Sequence, residues 1–160
     1  MKYQEKYTLG QKSLVKHRLA LRSFIMSNFA AQILNMIKIH KDINSQLLCD
    51  TIVEGMQENK AKKITVLDLR HVKGAVTDFF VICTGESSTQ VEGIAESVRR
   101  FTSKALKEKP WHVEGKGNAE WVLLDYVNVV AHIFYREIRD YYDLEDLWAD
   151  AKRTDVPDAL

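Results

Sequence analysis

The chain has 160 residues, 46% of them apolar and 28% charged, which suits one globular domain whose core needs no covalent staples. Its formal charge of +1 hides an asymmetry. Residues 1–41 carry eight Lys and Arg against Glu5 alone, about +7, leaving fifteen against twenty-one, about −6, for the rest. So acidic a body is a poor general binder of nucleic acid, because phosphate affinity comes mainly from Lys and Arg, and it favours a basic protein as partner.

The basic segment 1–41 holds no run able to span a bilayer, since Arg22, Asn28, Gln32, Asn35 and Lys38 interrupt its apolar stretch. Its composition fits a mitochondrial transit peptide, or upstream codons ahead of a true start at Met26 or Met36. Weak order is expected before about residue 42 in either case. From Ile43 the spacing of Leu47, Leu48, Ile52, Val53 and Met56 predicts a helix to about Asn59, with Asn44 or Ser45 as cap.

Strands are predicted at Lys62 to Leu69 and Asp78 to Thr84, with Lys73-Gly74 turning between them. The dense Phe79-Phe80-Val81-Ile82 run reads as a central strand buried on both faces. Ser87 or Ser88 caps a helix that buries Val91, Ile94, Ala95, Val98, Phe101 and Ala105, and Pro110 prevents its continuation. Trp111 to Glu114 is a short strand and Gly115-Lys116-Gly117-Asn118 a loop. Glu120 to Asp125 and Val127 to Tyr135 form a hairpin. A last helical piece runs in two steps from Arg136 through Trp148, ahead of a polar tail at 153–160. The fold class is therefore α/β, a mixed five-stranded sheet with flanking helices, over a domain at 42–152.

Cys49 and Cys83 lie far apart in apolar segments without CxxC spacing, and read as reduced, buried thiols. His71, His112 and His132 share no helical ligand spacing, so no metal site is predicted. His132 reads as a structural histidine, bonded to Asp125 across the hairpin. Gly85-Glu86-Ser87-Ser88 lies at a strand-to-helix turn of the kind that can hold phosphate, which raises nucleotidyl transfer as an alternative function. That chemistry needs two carboxylates two residues apart on one strand to hold its metal. Asp125 has Leu123 at that position, Asp68 has Arg70, and Asp78 sits on a separate strand. No catalytic residue, metal or cofactor is assigned, and Ser87 and Ser88 read as plain helix caps.

Alternation along the hairpin puts Trp121, Leu123 and Asp125 on one face and Val122 and Leu124 on the other. By residue type alone Trp121 fits either a core or an interface.

Taken in order, Leu67-Asp68, Thr77 to Gly85, Val113-Glu114-Gly115, Ala119-Glu120-Trp121 with Asp125, and Tyr142-x-Leu144-Glu145-x-Leu147-Trp148 resemble the ribosomal silencing factor family, also called the Iojap-like proteins. The resemblance covers about Leu47 to Lys152. It implies a nucleotidyltransferase-like fold without catalysis, in a bacterial cytoplasmic or organellar protein. It further implies a partner, the large ribosomal subunit bound through its protein fourteen, and repression of translation by blocking small-subunit joining. No membrane or sequence-specific nucleic-acid partner is implied, and a homodimer is conceivable for the free protein. The family's binding patch falls at the Ala119-Glu120-Trp121 motif, which tips Trp121 toward interface. Leu123, Glu120, Asp125, Asn118 and Lys116 are its expected neighbours there. Leu144 and Trp148 are expected in the core.

Overall fold

The computed structural model describes residues 31–37 and 44–158. The chain divides into two units, Met1–Asp42 and Ile43–Leu160. In the first, 31–37 are helical and exposed, and the remainder of the basic segment lies outside the described residues, as does Ile43.

In the second unit, helix α1 (44–58) turns Leu48, Cys49, Ile52 and Met56 inward, while Leu47 stays half exposed. Strands β1 (Lys62–Asp68) and β2 (Phe79–Gly85) follow, then α2 (Ser88–Leu106), β3 (His112–Glu114), β4 (Trp121–Asp125), β5 (Val129–Tyr135), α3 (Arg136–Tyr142), α4 (Leu144–Leu147) and β6 (Lys152–Val156). The strand order is β3-β4-β5-β2-β1-β6, and every neighbouring pair is antiparallel except β2 with β5. That parallel pair forms the buried middle of the sheet, where the Phe79 to Ile82 run was expected.

The sheet has six strands rather than five, because part of the expected polar tail is β6. Its sequence, Lys-Arg-Thr-Asp-Val, lacks an apolar face, which is how an edge strand protects itself from further pairing. Pairing makes it a strand: it runs along β1 from Ile64↔Val156 to Asp68↔Lys152, and Thr65 Oγ1 donates to Asp155 at 2.8 Å.

Register separates two faces. Ile64, Phe79, Val81, Cys83, Ala131, Ile133, Val122 and Leu124 meet α1 and α2 in one continuous apolar core. On the opposite face Leu67, Ile82 and Phe134 pack with Phe80, Trp121, Ile138, Leu144 and Trp148 in a smaller cluster. Leu144 and Trp148 thus anchor the last helices, in two steps divided at Asp143, whose backbone turns left-handed with φ 39°.

Both cysteines are buried and free. Burial pushes the Cys49 thiol up to about 12 and raises Cys83 as well, which keeps both protonated and unreactive.

Candidate functional site

The Gly85 turn is occupied by its own helix. Ser87 Oγ accepts from the Gln90 N–H, Glu86 N–H donates to Gln90 Oε1, and Gln90 Nε2 donates to the carbonyls of Asn59 and Lys60. A Cβ on Gly85 would come within 2.8 Å of Val91 Cγ2, so close packing of the turn on the helix explains the glycine. The carboxylates are equally committed. Asp68 is gripped by Arg70 at 2.6 and 2.9 Å, which holds its carboxyl below the usual range. Asp78 accepts from Ser45 at 2.7 Å, and Asp125 accepts from the Val127 N–H at 2.7 Å. Asp68 and Asp125 also point to opposite faces of the sheet.

The hairpin builds a different kind of place. Gly115, with φ 82°, brings the loop onto the start of β4 so closely that a Cβ there would lie 1.8 Å from the Trp121 carbonyl. Ala119 closes the turn by donating to the Gly115 carbonyl at 3.2 Å, in the left-handed region at φ 50°. Strand β4 therefore begins at a set position, and Trp121 leaves it on the face opposite α1 and α2.

There Trp121 stacks on Phe134, with centroids 4.9 Å apart, and meets Tyr142 at 4.7 Å. Its Nε1–H donates to His132 Nδ1 at 3.3 Å. His132 lies opposite Leu123 in the register and not opposite Asp125, so the expected His132–Asp125 bond is replaced by one to the indole. Burial without a countercharge depresses the His132 pKa to about 4 and keeps the ring neutral. Its Nε2 is buried without a hydrogen-bond partner among the described residues.

Helix α3 rests on this cluster and leaves a groove of about 440 Å3 lined by Asn118, Glu120, Trp121, Ile138, Tyr141 and Tyr142. Three of the six residues expected from the sequence therefore come together: Asn118, Glu120 and Trp121. Asn118 Nδ2 donates to Glu120 at 3.0 Å. Leu123 and Asp125 share the face but lie along β4, half-buried, beyond the groove. Lys116 turns away to pair with Glu96 on α2 at 3.2 Å. Trp121 itself is half-buried, because α3, through Tyr142, covers part of its face.

Ile138, Tyr141 and Tyr142 were missed as site residues. The signal was the Tyr-Tyr pair, since two adjacent aromatics on a short helix cannot both face the core, and Tyr141 is 82% exposed. What holds α3 there is Arg139, buried under the helix and ion-paired with Glu145. It also donates to Thr84 Oγ1 at 3.0 Å and Thr65 Oγ1 at 3.1 Å.

The family described as "Ribosomal silencing factor during starvation" matches residues 42–160. The chain belongs to that family. It is 33% identical over 114 residues to the ribosomal silencing factor RsfS of Halalkalibacterium halodurans, a stretch that is 71% of this chain and 96% of that protein. It is also 33% identical over 107 residues to the chloroplastic protein Iojap of Zea mays, covering 67% of this chain and 46% of that one. A crystal structure of a Chromobacterium violaceum protein superposes with a TM-score of 0.62 at 31% identity, over 72% of this chain and 92% of that one. The bacterial relative's name, a silencing factor, describes regulation rather than catalysis, and among the described residues no helix is long and apolar enough to cross a membrane.

Proposed function

We propose that the domain acts by occupation: it binds the large ribosomal subunit through protein fourteen and prevents the small subunit from joining. Membership in the silencing-factor family supports a ribosomal partner. The single observation that carries the choice of surface is the groove at Trp121. It presents a rigid aromatic anchor, an exposed tyrosine and the Glu120 carboxylate on an acidic domain, a combination suited to a basic protein. Aromatics supply much contact area at small entropic cost, because the stack on Phe134 and the bond to His132 already hold the indole.

Asn118 and Glu120 form the polar rim of this interface, while Leu123 and Asp125 extend it along β4. Lys116 acts at a distance, by tying its loop to α2. No turnover is required for repression, since occupancy follows from affinity and concentration. The fold shares ancestry with nucleotidyltransferases, but Leu123 stands where their first metal-binding carboxylate is needed, and the chain is not an enzyme. It works in the bacterial cytoplasm or in an organelle.

Sedimentation of the tagged protein with purified subunits tests the proposal. It should travel with the large subunit and, in light scattering, suppress joining in proportion to occupancy. Protein that stays at the top of the gradient, or that binds without slowing joining, would refute it.

A further inference from the structure

The net charge of the domain conceals a second segregation. Of the fifteen Lys and Arg in 44–158, five fall within 97–111 (Arg99, Arg100, Lys104, Lys107 and Lys109), whereas Glu108 is there alone of twenty Asp and Glu. Outside that stretch ten cations face nineteen acids. Positions 100 and 104 recur at helical spacing, so their side chains leave α2 on one side, about 6 Å apart along the axis, and Lys107 caps the helix just beyond them in the left-handed region at φ 61°. All three are exposed, as is Lys109. None of the four has a carboxylate partner among the described residues, whereas Arg99 pairs with Glu96 at 2.6 Å.

Cations at a helix C-terminus complement the helix dipole, which accounts for Lys104 in the last turn and for Lys107 at the cap, whose Nζ donates to the Lys104 carbonyl at 3.5 Å. It does not account for Arg100, a turn earlier, or for Lys109, beyond the end. Nor does it account for Trp111, which is 79% exposed although its own N–H is fixed to the Asp125 carbonyl at 2.7 Å. Trp111 is four steps along the chain from Lys107, at most about 14 Å. A tethered backbone thus holds a bare indole near a row of cations that no carboxylate among the described residues neutralises.

We propose that this end of the domain, Arg100, Lys104, Lys107, Lys109 and Trp111, is a contact site for single-stranded RNA, with phosphates on the cations and a base stacked on the indole. Charge complementarity selects the occupant. The patch is the one strongly positive stretch of an otherwise acidic described domain, and an indole offers any base a stacking partner that an acidic protein would not need. A membrane surface would want a wider apolar face, and beside Trp111 the exposed side chains here are charged, small or imidazole. The site is separate from the groove at Trp121 and does not depend on what that groove binds.

The test uses the full chain and a fluorescein-labelled ten-nucleotide RNA of mixed sequence, followed by anisotropy at several salt concentrations. Because residues 1–41 are also basic, the readouts are differences between variants and the position of cross-links. Binding should weaken at least tenfold in R100E/K104E/K107E and roughly tenfold in W111A, all of these side chains being exposed, with the melting temperature unchanged. The slope of log affinity against log salt should fall by about 2 in the triple variant, three contacts at roughly 0.7 each. A 4-thiouridine version of the RNA should cross-link within 97–112. Affinities within twofold of the parent, cross-links confined to 1–41, or equal loss of binding to anionic phosphatidylserine vesicles with none to RNA would each overturn the assignment.

Discussion

Ile133 and Phe134 are neighbours on β5, both fully buried, and they face opposite ways. Ile133 enters the core beneath α1 and α2, a cluster that is mostly aliphatic. Phe134 enters a layer of rings, stacked on Trp121 with Tyr142 farther off, closed by two short helices and holding the polar His132. One face is finished by long helices with regular spacing. The other is finished by a seven-residue and a four-residue helix that a buried Arg139 pins down. A face closed so partially keeps a groove, and the groove is where the aromatic side chains remain available to a partner.

The largest effects should fall equally on both faces and thereby show that each is a true core. Phe134→Ala should cost about 3 to 5 kcal/mol and Ile133→Ala about 2 to 5 kcal/mol in urea unfolding. If Phe134→Ala cost under about 1 kcal/mol, the ring layer would be surface and not core.

Acid should then distinguish the faces, because the buried histidine lies on only one of them. The folded pKa of His132, about 4, is below the ordinary value of 6.5, so the fold favours the neutral ring. Its contribution is whole above pH 6.5, is lost as the pH falls through the interval to about 4, and then levels off. The loss should total about 3 kcal/mol, read from unfolding at pH 7.5 and pH 4. In His132→Phe that interval should flatten. An equal slope in the variant would assign the acid sensitivity to other groups.

Gly115→Ala sharpens the comparison at the loop that sets Trp121. The added methyl meets a backbone carbonyl and the residue must hold a positive φ, so a loss of about 1 to 3 kcal/mol is expected, with a changed indole fluorescence. An unaltered melting temperature would show that the loop relaxes freely.

Much of this arrangement was legible in the sequence. Helical spacing gave α1 and α2, the four-residue apolar run marked β2 as central, and Ser87 was readable as a cap because its type and position satisfy the α2 N-terminus. What escaped had physical causes. Strand β6 has no apolar alternation, so only its partner β1 makes it a strand. The bond of His132 to Trp121 depends on register, and pairing His132 with Leu123 places Asp125 two residues away, opposite Val130. The covering of Trp121 by α3 depends on Arg139, whose partners lie on β1, β2 and α4, at separations in sequence that no local pattern reveals.

Tyr141 offers the most direct test that the groove is the working surface. Its side chain is exposed, so Tyr141→Ala should shift stability by no more than about 0.5 kcal/mol, unlike truncation of the half-buried Trp121. The measurement is the affinity of folded Tyr141→Ala for the large ribosomal subunit by sedimentation. A loss of about tenfold or more at an unchanged melting temperature is the predicted result, and binding within twofold of the parent would contradict it.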